Sequence, residues 1–156
     1  MSSTGAPCRP CSQVIGIEGE AGERSVPRTA LYPVNPADKL GVEDNCALLY
    51  LHEPGLLHNL RYRYKTDGIY TYTAFILIAV NPYQRLPELY SKLEPYRGKA
   101  IGIMPPHVYA IGDRAHRLMK AERHSQTCVI SGESGSGKTE SAKCALCFVA
   151  MDLPID

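Results

Sequence analysis

Eight consecutive residues constrain this chain more than any other stretch. Gly132, Glu133, Ser134, Gly135, Ser136, Gly137, Lys138 and Thr139 match the pattern G-x-x-x-x-G-K-[ST]. The flanks supply the context such a loop requires: Thr127, Cys128, Val129, Ile130 and Ser131 predict a short buried strand before it, and the residues after it predict a helix ending near Val149. Glycines let the backbone curl, so that successive N–H groups and a helix N-terminus point at one anion. Lys138 adds a mobile positive charge for β- and γ-phosphates, and the Thr139 hydroxyl is placed to ligate a Mg²⁺ ion between them. A dinucleotide fingerprint would read G-x-G-x-x-G; glycines at 132, 135 and 137 with lysine after the last do not fit it.

Composition narrows the remaining classes. A length of 156 residues suits one domain or part of a larger one, and 44% hydrophobic with 21% charged residues suits a packed chain. A formal net charge of +1 gives no bulk reason to expect a nucleic-acid partner, so any anion site must be local. The longest apolar run, residues 74–80, is far short of the about 20 residues that span a membrane. The N-terminus lacks the pattern of an export signal, so an intracellular chain with reduced cysteines is expected.

Along the chain, residues 1–40 are dense in Ser, Gly, Pro and Thr and are read as a flexible leader, with ordered structure over 41–156. Asp44 or Asn45 is expected to cap a short helix carrying Leu48, Leu49 and Leu51. Pro54 suits the first turn of a second helix with Leu56, Leu57 and Leu60, ending by the Asp67-Gly68 turn signal. The continuous apolarity leading through residues 75–80 predicts a strand covered on both faces, and Asn81-Pro82 ends it. Residues 82–105 are either a functional loop or a segment with short helices inside. Pro105-Pro106 precede a long helix with Val108, Ile111, Ala115, Leu118 and Met119 on its apolar face and Asp113, Arg114, Arg117 and Lys120 elsewhere. The fold class expected is α/β, with central sheet strands flanked by helices.

Hydrolysis asks for more than a phosphate cradle, including a carboxylate near Mg²⁺ at a strand end. After Thr139 the acids are Glu140, Asp152 and Asp156, none of which follows a strand. The chain is therefore expected to bind without turning over alone. An unrelated small phosphotransfer enzyme is disfavoured for the same reason.

The loop and its neighbours resemble the myosin motor domain. The family's G-E-S-G-x-G-K-T-E is matched by residues 132–140, and Val42-Glu-Asp-Asn45, Tyr50-Leu-His-Glu-Pro54, Leu57-His-Asn-Leu60, Ile69-Tyr-Thr-Tyr72, Asn81-Pro-Tyr83 and Pro105-Pro-His-Val-Tyr-Ala-Ile111 occur in the family's order. The resemblance covers residues 31–149. It implies a partial motor head of the phosphate-loop NTPase type, incomplete at its C-terminus because switch I, switch II and the actin-binding cleft would lie after Asp156. Asn81, Pro82 and Tyr83 then correspond to a purine-binding loop. Tyr90 is an adenine neighbour or a packing residue, since its run is one residue longer than the commonest family spacing. The implied ligands are ATP and Mg²⁺, the implied partner of the parent protein is the actin filament, and the implied location is the cytoplasm on the cytoskeleton, in a myosin complex. The alternative is a truncated, non-catalytic nucleotide-binding or interaction module.

Other groupings carry less. Cys8, Cys11, Cys144 and Cys147 are too far apart for a zinc site, and the second pair is read as core packing on a helix face. His107, His116 and His124 are expected at the surface or as caps. The ten tyrosines are read as core and loop packing, without the basic stripe that a stacking surface for bases needs.

Overall fold

In the computed structural model, residues 12–15 and 23–151 are described. The chain divides into two units, residues 1–34 and 35–156. In the first, β1 (Ser12–Ile15) pairs antiparallel with β2 (Glu23–Val26), Ser12 opposite Val26 and Ile15 opposite Glu23. This hairpin lies in the segment expected to be a flexible leader. Its four-residue strands are too short and too polar to announce themselves by alternation; residues 1–11 and 16–22 of that segment lie outside the described residues.

The second unit contains α1 (Glu53–Tyr64), β3 (Tyr70–Thr73), β4 (Ile76–Ala79), α2 (Pro87–Tyr90), α3 (Val108–Glu122) and α4 (Lys138–Ala150). Asp44 caps as expected, its carboxylate accepting from the Cys46 amide at 2.9 Å, but the element it starts is a single 3-10 turn, Asn45–Ala47. Leu48 is buried beyond that turn, while Leu49 and Leu51 are exposed. Pro54 does lie in the first turn of α1, and the His52 ring caps it by accepting from the Gly55 amide at 3.0 Å.

The inward face of α1 is polar, which its leucines do not suggest: Leu57 is exposed, and the buried positions are Gly55 and Asn59. Asn59, wholly buried, accepts from the Gly41 amide (2.8 Å) and donates to the Val42 carbonyl (3.0 Å) and the Asn45 side chain (2.8 Å). Asn45, also wholly buried, donates to the Thr73 hydroxyl at 2.9 Å. One turn beyond Asn59, the Arg63 guanidinium donates to the Thr71 hydroxyl, the Gly41 carbonyl and the Tyr70 carbonyl, each at 3.0 Å. Residues 41–45, α1 and β3 are thus joined by side-chain hydrogen bonds rather than by an apolar seam.

The single strand expected through residues 75–80 is instead one arm of a hairpin. β3 and β4 pair antiparallel, with Tyr70 opposite Ala79 and Thr73 opposite Ile76, and the chain reverses at Ala74, whose φ is +53°. A two-residue reversal needs positive φ, which no Gly or Asn announces here. β3 is buried, but Phe75 and Ile76 at the tip are about two-thirds exposed, so the apolar run is not covered on both faces.

The expected buried strand at residues 127–131 has no ladder partner among the described residues, and Val129 is 85% exposed. A strand exists only through a neighbour's hydrogen bonds. The expected central sheet is accordingly represented by antiparallel hairpins, and no two strands run parallel among the described residues. Within 82–105 the shorter elements are α2 and a 3-10 turn at Glu94–Tyr96.

The core is small and aromatic: Ile69, Tyr70, Tyr72, Tyr96, Val108, Tyr109, Ala110 and Phe148. α3 follows the two prolines as expected, yet its most deeply buried face includes Tyr109, Gly112, Asp113 and His116. Asp113, expected on the polar side, is buried because it accepts from the Gly98 amide (2.9 Å) and from Arg117 (2.6 Å). Gly112 lets α4 approach: a Cβ there would stand 3.2 Å from the Ala145 carbonyl oxygen. On α4, Phe148 is buried and Cys144 half-buried as core packing requires, but Cys147 is exposed. No described helix is long and apolar enough to cross a membrane.

Asn59→Ala should strand the Gly41 amide, the Val42 carbonyl and the Asn45 side chain together, lowering unfolding free energy by about 3 kcal/mol. Urea denaturation of the chain reads this; a loss below about 0.5 kcal/mol would show that α1 is held by something other than this network.

Candidate functional site

The loop of residues 132–137 precedes α4, whose N-terminal residue is Lys138. Gly135 and Gly137 have φ of +78° and +94°, conformations that side chains with a Cβ rarely adopt. At Gly132 the constraint is space: a Cβ would stand 2.6 Å from the Ser136 hydroxyl oxygen. The Lys138 ammonium turns back over the loop and donates to the Gly132 carbonyl at 2.8 Å and the Glu133 carbonyl at 2.7 Å. An ammonium has three donors, so this closure leaves one for a phosphate oxygen. The free amides of the first turn of α4 face the same end, where the helix dipole favours negative charge.

A cavity of about 530 Å³ lies against this loop. Asn81, Pro82 and Tyr90 border it from one direction, and Ser136 and Gly137 from the other. The two sides are joined directly: the Asn81 side chain donates to the Gly135 carbonyl at 2.7 Å, across 54 positions of sequence. Its oxygen accepts from the Tyr83 amide at 2.9 Å, closing a short turn. Tyr83 itself is 84% exposed and does not border the cavity. Glu133, Ser134 and Thr139 are exposed at the mouth of the loop. Gly132, Ser136 and Lys138 also border a second cavity, of about 520 Å³, whose other walls include β4 and residues 126–131.

Residues not anticipated also line the first cavity, among them Tyr70, Glu140, Ser141 and Cys144. Glu140, Ser141 and Cys144 follow Gly137 at helical spacing, so the pattern of α4 was sufficient to find them. Tyr70 was not accessible in that way. Only the hairpin register, which sets it opposite Ala79, carries it to the cavity. Its hydroxyl lies 3.1 Å from that of Tyr90. Burial, reinforced by that hydrogen bond, pushes the Tyr70 phenol far above the ordinary range, so it stays neutral.

Behind this wall lies His107, wholly buried and ringed by Tyr70, Tyr90, Tyr96 and Tyr109, with ring centroids 4.2 to 5.5 Å away. The expectation of a surface or capping role is half right: its Nδ1 caps α3 by accepting from the Tyr109 amide at 3.1 Å, but the ring is core. Burial drives its pKa down to about 4. Among the described residues no cluster of His, Cys, Asp or Glu could hold a metal ion unaided. A Mg²⁺ ion held mainly by phosphate oxygens and water needs only one or two protein oxygens, a demand that the exposed Thr139 hydroxyl fits.

Residues 42–153 match the family model described as Myosin head (motor domain). The chain is 52% identical over 121 residues to unconventional myosin-VI of Bos taurus, an alignment covering 76% of this chain and 9% of that protein. It is 50% identical over 123 residues to myosin-7 of Arabidopsis thaliana, covering 77% and 7%. With myosin-8 of Arabidopsis thaliana the identity is 50% over 149 residues, covering 88% and 10%. The chain therefore spans about a tenth of the length of these relatives.

The buried His107 makes stability depend on pH in a defined direction. Its folded pKa, about 4, lies below the ordinary value of 6.5, so the unfolded chain binds the extra proton between those values. The contribution is complete above pH 6.5 and lost as pH falls toward 4. Between pH 7 and 4.5 it amounts to roughly 2 kcal/mol. His107→Gln should flatten that part of the stability profile followed by urea unfolding, whereas an unchanged slope would mean that His107 is not the group responsible.

Proposed function

This chain belongs to the myosin head (motor domain) family, and on that premise we propose that its loop and adjoining cavity bind ATP with Mg²⁺ as the nucleotide end of an actin-based motor. The fold that this reading implies for the parent protein is of the phosphate-loop NTPase type, and the implied setting is the cytoskeleton. What carries the reading is the 2.7 Å hydrogen bond from Asn81 to Gly135, which ties the segment suited to a purine to the loop suited to its phosphates, beside a cavity that borders both.

The assigned roles are those of binding and orientation. The loop amides and the start of α4 receive the triphosphate oxygens, and Lys138 offers its remaining N–H donor to the β- and γ-phosphates. Gly132, Gly135 and Gly137 allow that approach; Glu133, Ser134 and Ser136 complete the curve, with Ser136 small enough to face the cavity. Bound Mg²⁺ would supply neutralisation of phosphate charge, and Thr139 is the ligand this chain offers it. Asn81 and Pro82 form the adenosine side with Tyr90. Tyr83 acts through its backbone, by the turn its amide makes with Asn81, since its ring faces solvent.

Lys138→Ala should reduce ATP affinity at least 100-fold in a titration with a fluorescent ATP analogue, because it removes both the phosphate contact and the closure over Gly132 and Glu133. Asn81→Ala should weaken binding less, on the order of 10-fold. Wild-type chain that binds no ATP, or a Lys138→Ala variant that binds it as well as wild type, would refute the assignment.

A further inference from the structure

Among the α-helices of the second unit, α2 is the shortest and the least able to hold its own position. It has four residues, and no side chain caps its N-terminus at Leu86. A single turn of helix is unstable by itself, because nucleation costs more than one turn of hydrogen bonds returns. Yet α2 ends in Tyr90, whose ring borders the nucleotide cavity. Something outside α2 must decide where that ring stands.

Three groups do so, all from other elements. The Tyr109 hydroxyl of α3 donates to the Tyr90 carbonyl at 3.3 Å, which holds the backbone. His107 meets the Tyr90 ring edge-on at 5.5 Å between centroids and meets Tyr70 likewise at 4.9 Å, which limits the tilt of both. The Tyr70 hydroxyl, on a residue only 4% exposed, lies 3.1 Å from the Tyr90 hydroxyl. Of the three, only Tyr70 contacts the polar tip of Tyr90. The cavity also carries the apolar Ile69, Val80, Leu86 and Pro87, against which the orientation of a phenol hydroxyl matters to any base that enters.

We propose that Tyr70 is a positioning residue for the base end of the cavity: its buried hydroxyl holds the Tyr90 hydroxyl and thereby presents that group to the nucleobase in one orientation. This rests on the nucleotide reading above and adds to it a residue that acts through another. A phenol has one proton to donate, so the pair also sets what Tyr90 offers the base. If Tyr70 donates, Tyr90 keeps its proton for an acceptor on the base; if Tyr90 donates, its oxygen is left to receive an amino group. Either arrangement is lost when the Tyr70 oxygen is removed, whereas the phosphate loop is untouched.

The test titrates the full chain, as wild type, Tyr70→Phe, Tyr90→Phe and the double variant, with ATP and separately with inorganic tripolyphosphate. Tyr70→Phe should weaken ATP about 3- to 10-fold, the worth of one net hydrogen bond, and leave tripolyphosphate binding unchanged. The double variant should bind ATP no more weakly than Tyr90→Phe alone, because the two residues act as one unit. A general loosening of the fold would weaken both ligands, and that result overturns the proposal. So does wild-type ATP affinity in Tyr70→Phe, or a double variant whose penalty is the full sum of the singles. Wild-type chain that binds neither ligand overturns the nucleotide reading itself, whereas wild type that binds tripolyphosphate as tightly as ATP overturns only the base end.

Discussion

The arrangement of the larger unit depends on a buried amide, Asn59. Three of its hydrogen-bonding positions are taken by residues 41, 42 and 45, and Asn45 passes the connection on to Thr73 at the hairpin. Arg63 repeats the pattern one turn later, reaching the Gly41 carbonyl as well as Thr71 and Tyr70 of β3. Apolar contact is tolerant of small rotations, but a planar amide or guanidinium with several partners is not. α1 is therefore oriented by direction-dependent bonds, and the hairpin it holds carries Tyr70 and leads into Asn81.

The same logic continues on the other side of the hairpin, through α3. Its cap residue His107 sits inside four tyrosine rings, and its buried Asp113 binds the Gly98 amide and Arg117. Asp113 faces a loop amide while Gly112 faces α4, so one helix gathers the 94–99 region and the helix that follows the glycine-rich loop. Aromatic rings dominate the packing because their polar tips let them pack and hydrogen-bond at once, as Tyr70, Tyr90 and Tyr109 do.

The cavity beside the glycine-rich loop is a consequence of these two supports rather than of the loop alone. Residues 81–90 leave β4 and reach the loop through Asn81, while the loop borders the same space through Ser136 and Gly137, and α4 through Glu140, Ser141 and Cys144. The 54 positions that separate Asn81 from Gly135 are spanned by α2, α3 and their connections. Site geometry is thus inherited from packing at His107 and Gly112, which lie outside the cavity lining.

Several features are local and were legible in the chain itself. The glycine spacing with Lys138 and Thr139, the cap at Asp44, the proline that opens α1, the helix after Pro105-Pro106 and the ordered motifs of the motor-domain family all depend on residues close together in sequence. Features made by distant partners were not legible. The apolar run at 75–80 read as one buried strand because pattern does not reveal a reversal at Ala74, and residues 127–131 read as a strand because pattern does not reveal whether a neighbour exists. Burial of Asn59, Asp113 and His107 was invisible for a related reason: a polar side chain goes inside only where specific groups await it, and those groups come from other elements. The sequence by itself therefore determined the glycine and lysine pattern of the loop and the family of the chain. Only the tertiary structure decided that Tyr83 faces solvent, that Tyr70 meets Tyr90 and that Asn81 meets Gly135, because each depends on hydrogen bonds or packing between segments that short-range pattern does not connect.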